Sequence, residues 1–149
     1  MPGIATMTQA ESVEKIIGRL RMCGIKPTQQ RVQIATVLFS RPQHLSADQV
    51  LEQVTALGER VSKATIYNTL SLFSRKHLIR EVIVDPSKVF YDSTTLPHHH
   101  FYNIDTGALT DLEAIDVDLA SLPALPPGMI VDGVDVIVRV RRASEHAGD

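Results

Sequence analysis

Cysteine is almost absent from this 149-residue chain: Cys23 stands alone. One cysteine excludes an intrachain disulfide and any Cys-x-x-Cys zinc knuckle, and leaves Cys23 the ordinary role of a small apolar residue. No apolar run approaches the roughly 20 residues needed to cross a membrane. The opening residues, MPGIATMTQAESVEK, lack a basic segment followed by an apolar one, so a cytoplasmic protein with no membrane association is expected. Internal repeats and low-complexity tracts are missing too. What is present is a hydrophobic fraction of 44%, enough for packed cores in one ordinary domain or two small ones.

The formal net charge of -2 conceals an asymmetry. Residues 1–92 carry 12 Lys and Arg against 8 Asp and Glu, a net +4, and residues 93–149 carry 3 against 9, a net -6. A modest positive excess on the first part fits a phosphate-binding face, although a solvated surface can carry the same excess.

That first part reads as helices followed by a hairpin. Val13, Ile16, Ile17 and Leu20 recur at i, i+3, i+4 and i+7, the stripe of an amphipathic helix ending at Gly24. Thr28 caps a second helix with Val32, Ala35, Leu38 and Phe39 inward, and with Gln30 and Arg31 in its first turn. Ser46 to Gln49 matches a capping box, and Val50, Val54 and Leu57 supply the inner face of a third helix. After Gly58, Ser62 opens a fourth helix reaching His77, with Ile66, Leu70 and Phe73 inward. Its other face offers Lys63, Thr65, Tyr67, Asn68, Ser71 and Arg75. Such a pair of helices across a glycine-containing turn is what a helix-turn-helix presents to the major groove. Lys and Arg would hold phosphates, while Tyr67 and Asn68 would touch base edges. On periodicity alone a polar solvated face reads the same way. Residues 78–84 and 88–92 then form two strands around Asp85-Pro86-Ser87-Lys88, which completes a winged helix.

The most distinctive stretch follows, Pro97-His98-His99-His100. If extended, it places His98 and His100 on one face and His99 on the other. Two imidazoles on one face can share a metal ion, and Asp92 and Asp111 flank them with the carboxylates of a mixed nitrogen and oxygen shell. A histidine run is equally compatible with a solvated turn or a loose surface metal trap.

Taken together, Gly24-Ile25-Lys26-Pro27-Thr28-Gln29-Gln30-Arg31, His44-Leu45-Ser46-Ala47-Asp48, Ala64-Thr65-Ile66-Tyr67-Asn68-Thr69-Leu70, Val89-Phe90-Tyr91-Asp92 and the histidine run resemble the ferric uptake regulator family in order and spacing. The resemblance spans nearly the whole chain. It implies an α+β protein, an N-terminal winged helix over residues 1–92 and a small C-terminal α/β dimerisation and metal-sensing domain over residues 93–149. It also implies a homodimeric transcription factor on double-stranded DNA, with a palindromic operator matching the two-fold axis. The family's regulatory site falls on His44, Asp92, His98, His100 and Asp111, for one divalent ion per chain: manganese, iron or zinc. For DNA, the family pattern places Lys26 near a minor groove and Tyr67 against thymines, with Gln30, Arg31, Lys63, Thr65 and Asn68 as further contacts. Asn68 stands where other branches often carry Arg, which points to a different operator or to a backbone contact.

Two departures narrow the branch. Asn103 and Thr106 occupy the positions of a Cys-x-x-Cys pair in many relatives, so no structural zinc held by four cysteines is expected, and His146 lies in a polar tail. Without cysteine pairs but with three adjacent histidines, the chain is most similar to the iron response regulator branch. That similarity implies control of iron and haem homeostasis genes, with His98, His99 and His100 as candidate haem contacts. No Cys-Pro haem motif occurs, because Gly24 follows Cys23. A peroxide- or manganese-sensing repressor of the same family is the alternative. A metal-dependent enzyme is the alternative from another class, opposed by the lack of any nucleophile or acid/base motif near the histidines.

In the last third, residues 100–104 and 108–112 read as a hairpin around Asp105-Thr106-Gly107, and residues 116–122 as a short helix that Pro123 stops. Residues 133–141 alternate with Val134, Val136, Val138 and Val140 on one face. Three strands and a short helix make too small a core to stand alone, and pairing with a second copy would cover it.

Overall fold

The computed structural model describes residues 12–95, 98–112 and 119–144. It divides into two compact units, with the boundary between Thr95 and Leu96. In the first unit α1 spans Val13–Met22, α2 Gln29–Leu38, β1 His44–Leu45, α3 Ala47–Ala56, α4 Lys63–Arg75, β2 Arg80–Asp85 and β3 Lys88–Asp92. In the second, β4 spans His99–Asn103, β5 Leu109–Leu112 and β6 Ile137–Val140, with a 3-10 turn at Leu119–Ser121. No helix among the described residues is long and apolar enough to cross a membrane.

Each helix starts on a hydroxyl. Ser12, Thr28, Ser46 and Ser62 accept from the amides of Lys15, Arg31, Gln49 and Thr65 at 3.1–3.3 Å, satisfying donors that the helix leaves unbonded. At Ser46 the box closes, because Gln49 Oε1 accepts the Ser46 amide at 2.9 Å. The helices pack on one another through Ile16, Leu20, Ile34, Val50, Ile66 and Phe73, all fully buried. Two residues expected inward are not. Val13 is 59% exposed and Leu57 65% exposed, because each sits at a helix end where the stripe has already run past the core, whereas Ile34 and Val37 of α2 are buried beyond the expected set.

Helix α4 ends without glycine. Leu78 N–H bonds Phe73 C=O at 2.9 Å and His77 N–H bonds Ser74 C=O at 3.1 Å, a left-handed cap that sets His77 at φ 60°. An L-residue there costs roughly 1–2 kcal/mol that glycine avoids, offset in part by glycine's larger unfolded-state entropy. His77→Gly is therefore expected to raise the stability of this unit by about 1 kcal/mol in urea unfolding; an unchanged or lower midpoint would show that the His77 side chain contributes more than its backbone strain removes.

Strand β3 is central in the first sheet, ordered β1-β3-β2, all antiparallel. Among the described residues, four α-helices and this hairpin form the winged helix. At the wing tip Asp85 Oδ1 accepts both Ser87 O–H and Ser87 N–H, at 2.7 and 2.8 Å, and these bonds hold the Asp85 carboxyl below the usual range. The short strand β1 had no periodic signal, since two residues carry none.

The second sheet is ordered β5-β4-β6, with β5 antiparallel and β6 parallel to β4. The β4–β5 turn holds itself: Asn103 Oδ1 accepts the amides of Asp105 and Thr106 at 2.9 and 3.1 Å, and Gly107 takes φ 76°. Asp105 Oδ2 also accepts the Arg142 amide at 2.7 Å, tying the end of β6 to this turn. Thus Asn103 and Thr106 build a hydrogen-bonded turn. The strand expected over 133–141 is shorter, at Ile137–Val140, and the helix expected over 116–122 is a 3-10 turn at Leu119–Ser121 where it is described; residues 116–118 and His146 lie outside the described residues.

Candidate metal centre and nucleic-acid face

Two groups of metal-ligating side chains are built, one in each unit. In the first, antiparallel pairing sets His44 of β1 directly opposite Asp92, the last residue of β3. His44 Nε2 stands 3.2 Å from Asp92 Oδ2. Asp92 is buried, and its other oxygen accepts the Thr94 amide at 2.8 Å, which fixes the carboxylate plane.

In the second unit, β5 sets Asp111 opposite His100. Asp111 Oδ1 lies 3.1 Å from His98 Nε2 and 3.6 Å from His100 Nε2, and the two rings are 4.5 Å apart at 55°. His100 is fully buried, whereas the Asp111 side chain is 61% exposed. His99 points away from this group: its Nδ1 accepts the Val136 amide at 3.0 Å.

These spacings suit a divalent ion. Two donors held at about 2.1 Å from one ion stand about 3.0 Å apart at a right angle and about 3.4 Å apart at the tetrahedral angle. The separations of 3.1, 3.2 and 3.6 Å fall in or near that interval. Each contact also sets an imidazole nitrogen against a carboxylate oxygen. Such a pair is held either by a hydrogen on the ring nitrogen or by a metal ion that both atoms ligate. Imidazole and carboxylate without thiolate fit manganese, ferrous iron or zinc. With His98 and His100 turned to Asp111 and His99 turned to Val136, the run does not present three rings to one haem.

The nucleic-acid candidates lie on the first unit. Tyr67 is 43% exposed on α4, and Lys63 and Asn68 are exposed beside it. Lys63 Nζ lies 5.9 Å from the Tyr67 ring centroid and 3.4 Å from Asp48 Oδ1. Asp48, the last residue of the His44-Leu45-Ser46-Ala47-Asp48 motif, carries no role in the sequence reading beyond that motif and its place in the first turn of α3. Thr65 is engaged in the cap, its hydroxyl 2.8 Å from Ser62 Oγ. Lys26 and Gln30 are exposed, and Arg31 is partly turned inward, donating from Nη1 to Lys26 C=O at 2.9 Å. Beneath this face Tyr91 is buried, and burial, with Glu81 nearby, pushes its phenol up from the ordinary value.

Comparison with known proteins follows the same lines. The ferric uptake regulator family pattern matches residues 22–121. The peroxide-responsive repressor PerR of Staphylococcus aureus is 31% identical over 101 residues, 68% of each chain, and that of Staphylococcus epidermidis 29% identical over 106 residues, 71% of each chain. In structure, the chain is similar to the ferric uptake regulator of Pseudomonas aeruginosa with manganese (TM-score 0.64, 24% identity, 85% of this chain and 97% of that one). It is also similar to that of Vibrio cholerae (TM-score 0.66, 22% identity, 85% and 98%).

Proposed function

The chain belongs to the ferric uptake regulator family of metal-responsive transcriptional regulators, and from that premise we propose that it is a homodimeric repressor of duplex DNA controlled by one divalent ion. His44, Asp92, His98, His100 and Asp111 hold the ion, and α4 reads the operator, a palindrome matching the dimer. The observation that carries the metal reading is the Asp111 carboxylate oxygen on β5 set within 3.6 Å of the imidazole nitrogens of His98, just before β4, and His100, within it.

When bound, the ion would take a shared place between these imidazole nitrogens and carboxylate oxygens. The protein's own part is placement. His44 and Asp92 belong to the DNA-reading unit, and His98, His100 and Asp111 to the other. An ion that draws on donors from both would couple its binding to the arrangement of the two units. Ligand binding shifts the equilibrium toward one arrangement by no more than its differential affinity for it. Tyr67 and Asn68 then meet base edges, and Lys26 and Lys63 meet phosphates.

The identity to peroxide-responsive repressors favours peroxide release of an iron-loaded form over manganese sensing alone. Control of iron and haem genes, with haem as the signal, is the competing reading, which rests on the similarity of the sequence to the iron response regulator branch. A titration of promoter DNA by the full chain, metal-free, with manganese, with ferrous iron before and after peroxide, and with haem, separates them. Tight binding with manganese or iron, lost after peroxide only in the iron sample, is expected. A response to haem alone would transfer the signal to haem, and equal binding in every sample would remove metal control from the protein.

A further inference from the structure

We infer that His99 is a positioning residue that lets His98 and His100 converge on Asp111, acting through β6. Strand β4 pairs in parallel with β6 from His100 opposite Ile137 onward. That register puts Val136 opposite His99. In a regular parallel ladder Val136 would accept from the amide of residue 100 and donate to the carbonyl of residue 98. The first bond is present, His100 N–H to Val136 C=O at 3.1 Å. The second is replaced, since Val136 N–H goes to the ring nitrogen Nδ1 of His99 at 3.0 Å. An imidazole stands in for a main-chain acceptor.

The consequence lies with the neighbour. Because the ring takes over the Val136 amide, the ladder does not need residue 98, and β4 begins at His99. The rings of His98 and His100 are 4.5 Å apart and both face Asp111 Oδ1. His98 thus lies just outside the strand with its ring on the carboxylate, while His100 lies within it. The same bond defines the chemistry of His99. An imidazole that accepts at Nδ1 carries its hydrogen at Nε2, so neither nitrogen of His99 has a lone pair free for a metal ion or a haem iron.

The consequence for metal affinity rests on the metal reading proposed above; the bond itself does not. Asparagine places an oxygen close to the position of Nδ1, whereas glutamine reaches toward Nε2. In the full chain, His99→Ala and His99→Gln are expected to weaken zinc binding about 10- to 100-fold, and His99→Asn only about threefold, as for loss or retention of an outer-shell partner. Nitrogen-15 NMR of the metal-free protein is expected to show His99 with its hydrogen on Nε2, and zinc to shift the ring nitrogens of His98 and His100 but not those of His99. If Asn weakens binding as much as Ala, or if zinc shifts a His99 ring nitrogen as it does a ligand's, the positioning role is overturned. Should His99→Ala fail to fold, the contrast between Asn and Gln decides. Should the wild-type chain bind no zinc, the metal reading fails by itself. The metal-free tautomer, with slow Val136 amide exchange kept by Asn and lost in Gln, then supports or overturns the bond.

Discussion

Replacing His98 and His100 together by alanine is expected to lower the affinity for manganese at least about 100-fold, the upper end of what loss of an outer-shell partner costs, and to make DNA binding independent of added metal. The two imidazoles are two of the three donors that the second unit contributes, and both face Asp111 Oδ1. Their loss leaves one exposed carboxylate, which holds a divalent ion no better than many surface acids. Because His100 is fully buried, its truncation also opens a cavity, so a change in stability has to be separated from a change in coordination. Asp111→Asn makes that separation: the side chain is exposed and keeps its shape, while its charge is removed. Calorimetric titration with manganese should show both variants weakened, with far-UV spectra unchanged for Asp111→Asn. Wild-type affinity in the double variant, with wild-type operator binding, would show that the metal is held elsewhere.

How much of this could be read before any coordinates is a matter of range along the chain. The capping box at Ser46 and Gln49 spans three residues, and the alternation that separates His99 from its neighbours spans two. Local rules of geometry reach that far, and for the same reason the hairpins and the helix starts at Thr28, Ser46 and Ser62 were legible, whereas the cap at Ser12 was not named. The strand His44–Leu45 was not, because two residues have no period; only its pairing with Tyr91 and Asp92 makes it a strand. The exposure of Val13 and Leu57 depends on where the core ends, which periodicity does not encode. The bond from Val136 to His99 joins residues 37 apart in sequence, and nothing near either one announces it. The same bond explains why β6 is shorter than its alternating valines suggested, since Val136 is diverted from the ladder to a side chain.

Phe73→Ala carries the second large effect. Phe73 is fully buried on the inner face of α4, the helix whose exposed face carries Tyr67 and Asn68. Truncating a buried phenylalanine costs about 3–5 kcal/mol, a large share of the roughly 5–15 kcal/mol that holds a domain together. All four α-helices of the described residues belong to the first unit, so the helical far-UV signal during urea unfolding reports on that unit. The metal-free variant should lose it at much lower urea than wild type, with DNA binding falling in parallel. Added manganese should then discriminate between two kinds of ion site. If the ion draws on His44 and Asp92 as well as on the donors of the second unit, it binds only while the first unit is folded, and at a hundred times its dissociation constant it returns about 2.7 kcal/mol to the variant. If the ion is held by His98, His100 and Asp111 alone, manganese leaves the helical midpoint where it was. Introducing His44→Ala into the Phe73→Ala chain should abolish most of the rescue, because one of the two donors linking ion binding to helix folding is gone. A rescue that survives His44→Ala undiminished would place the linkage outside β1, and with it the ion's control over the DNA-reading unit.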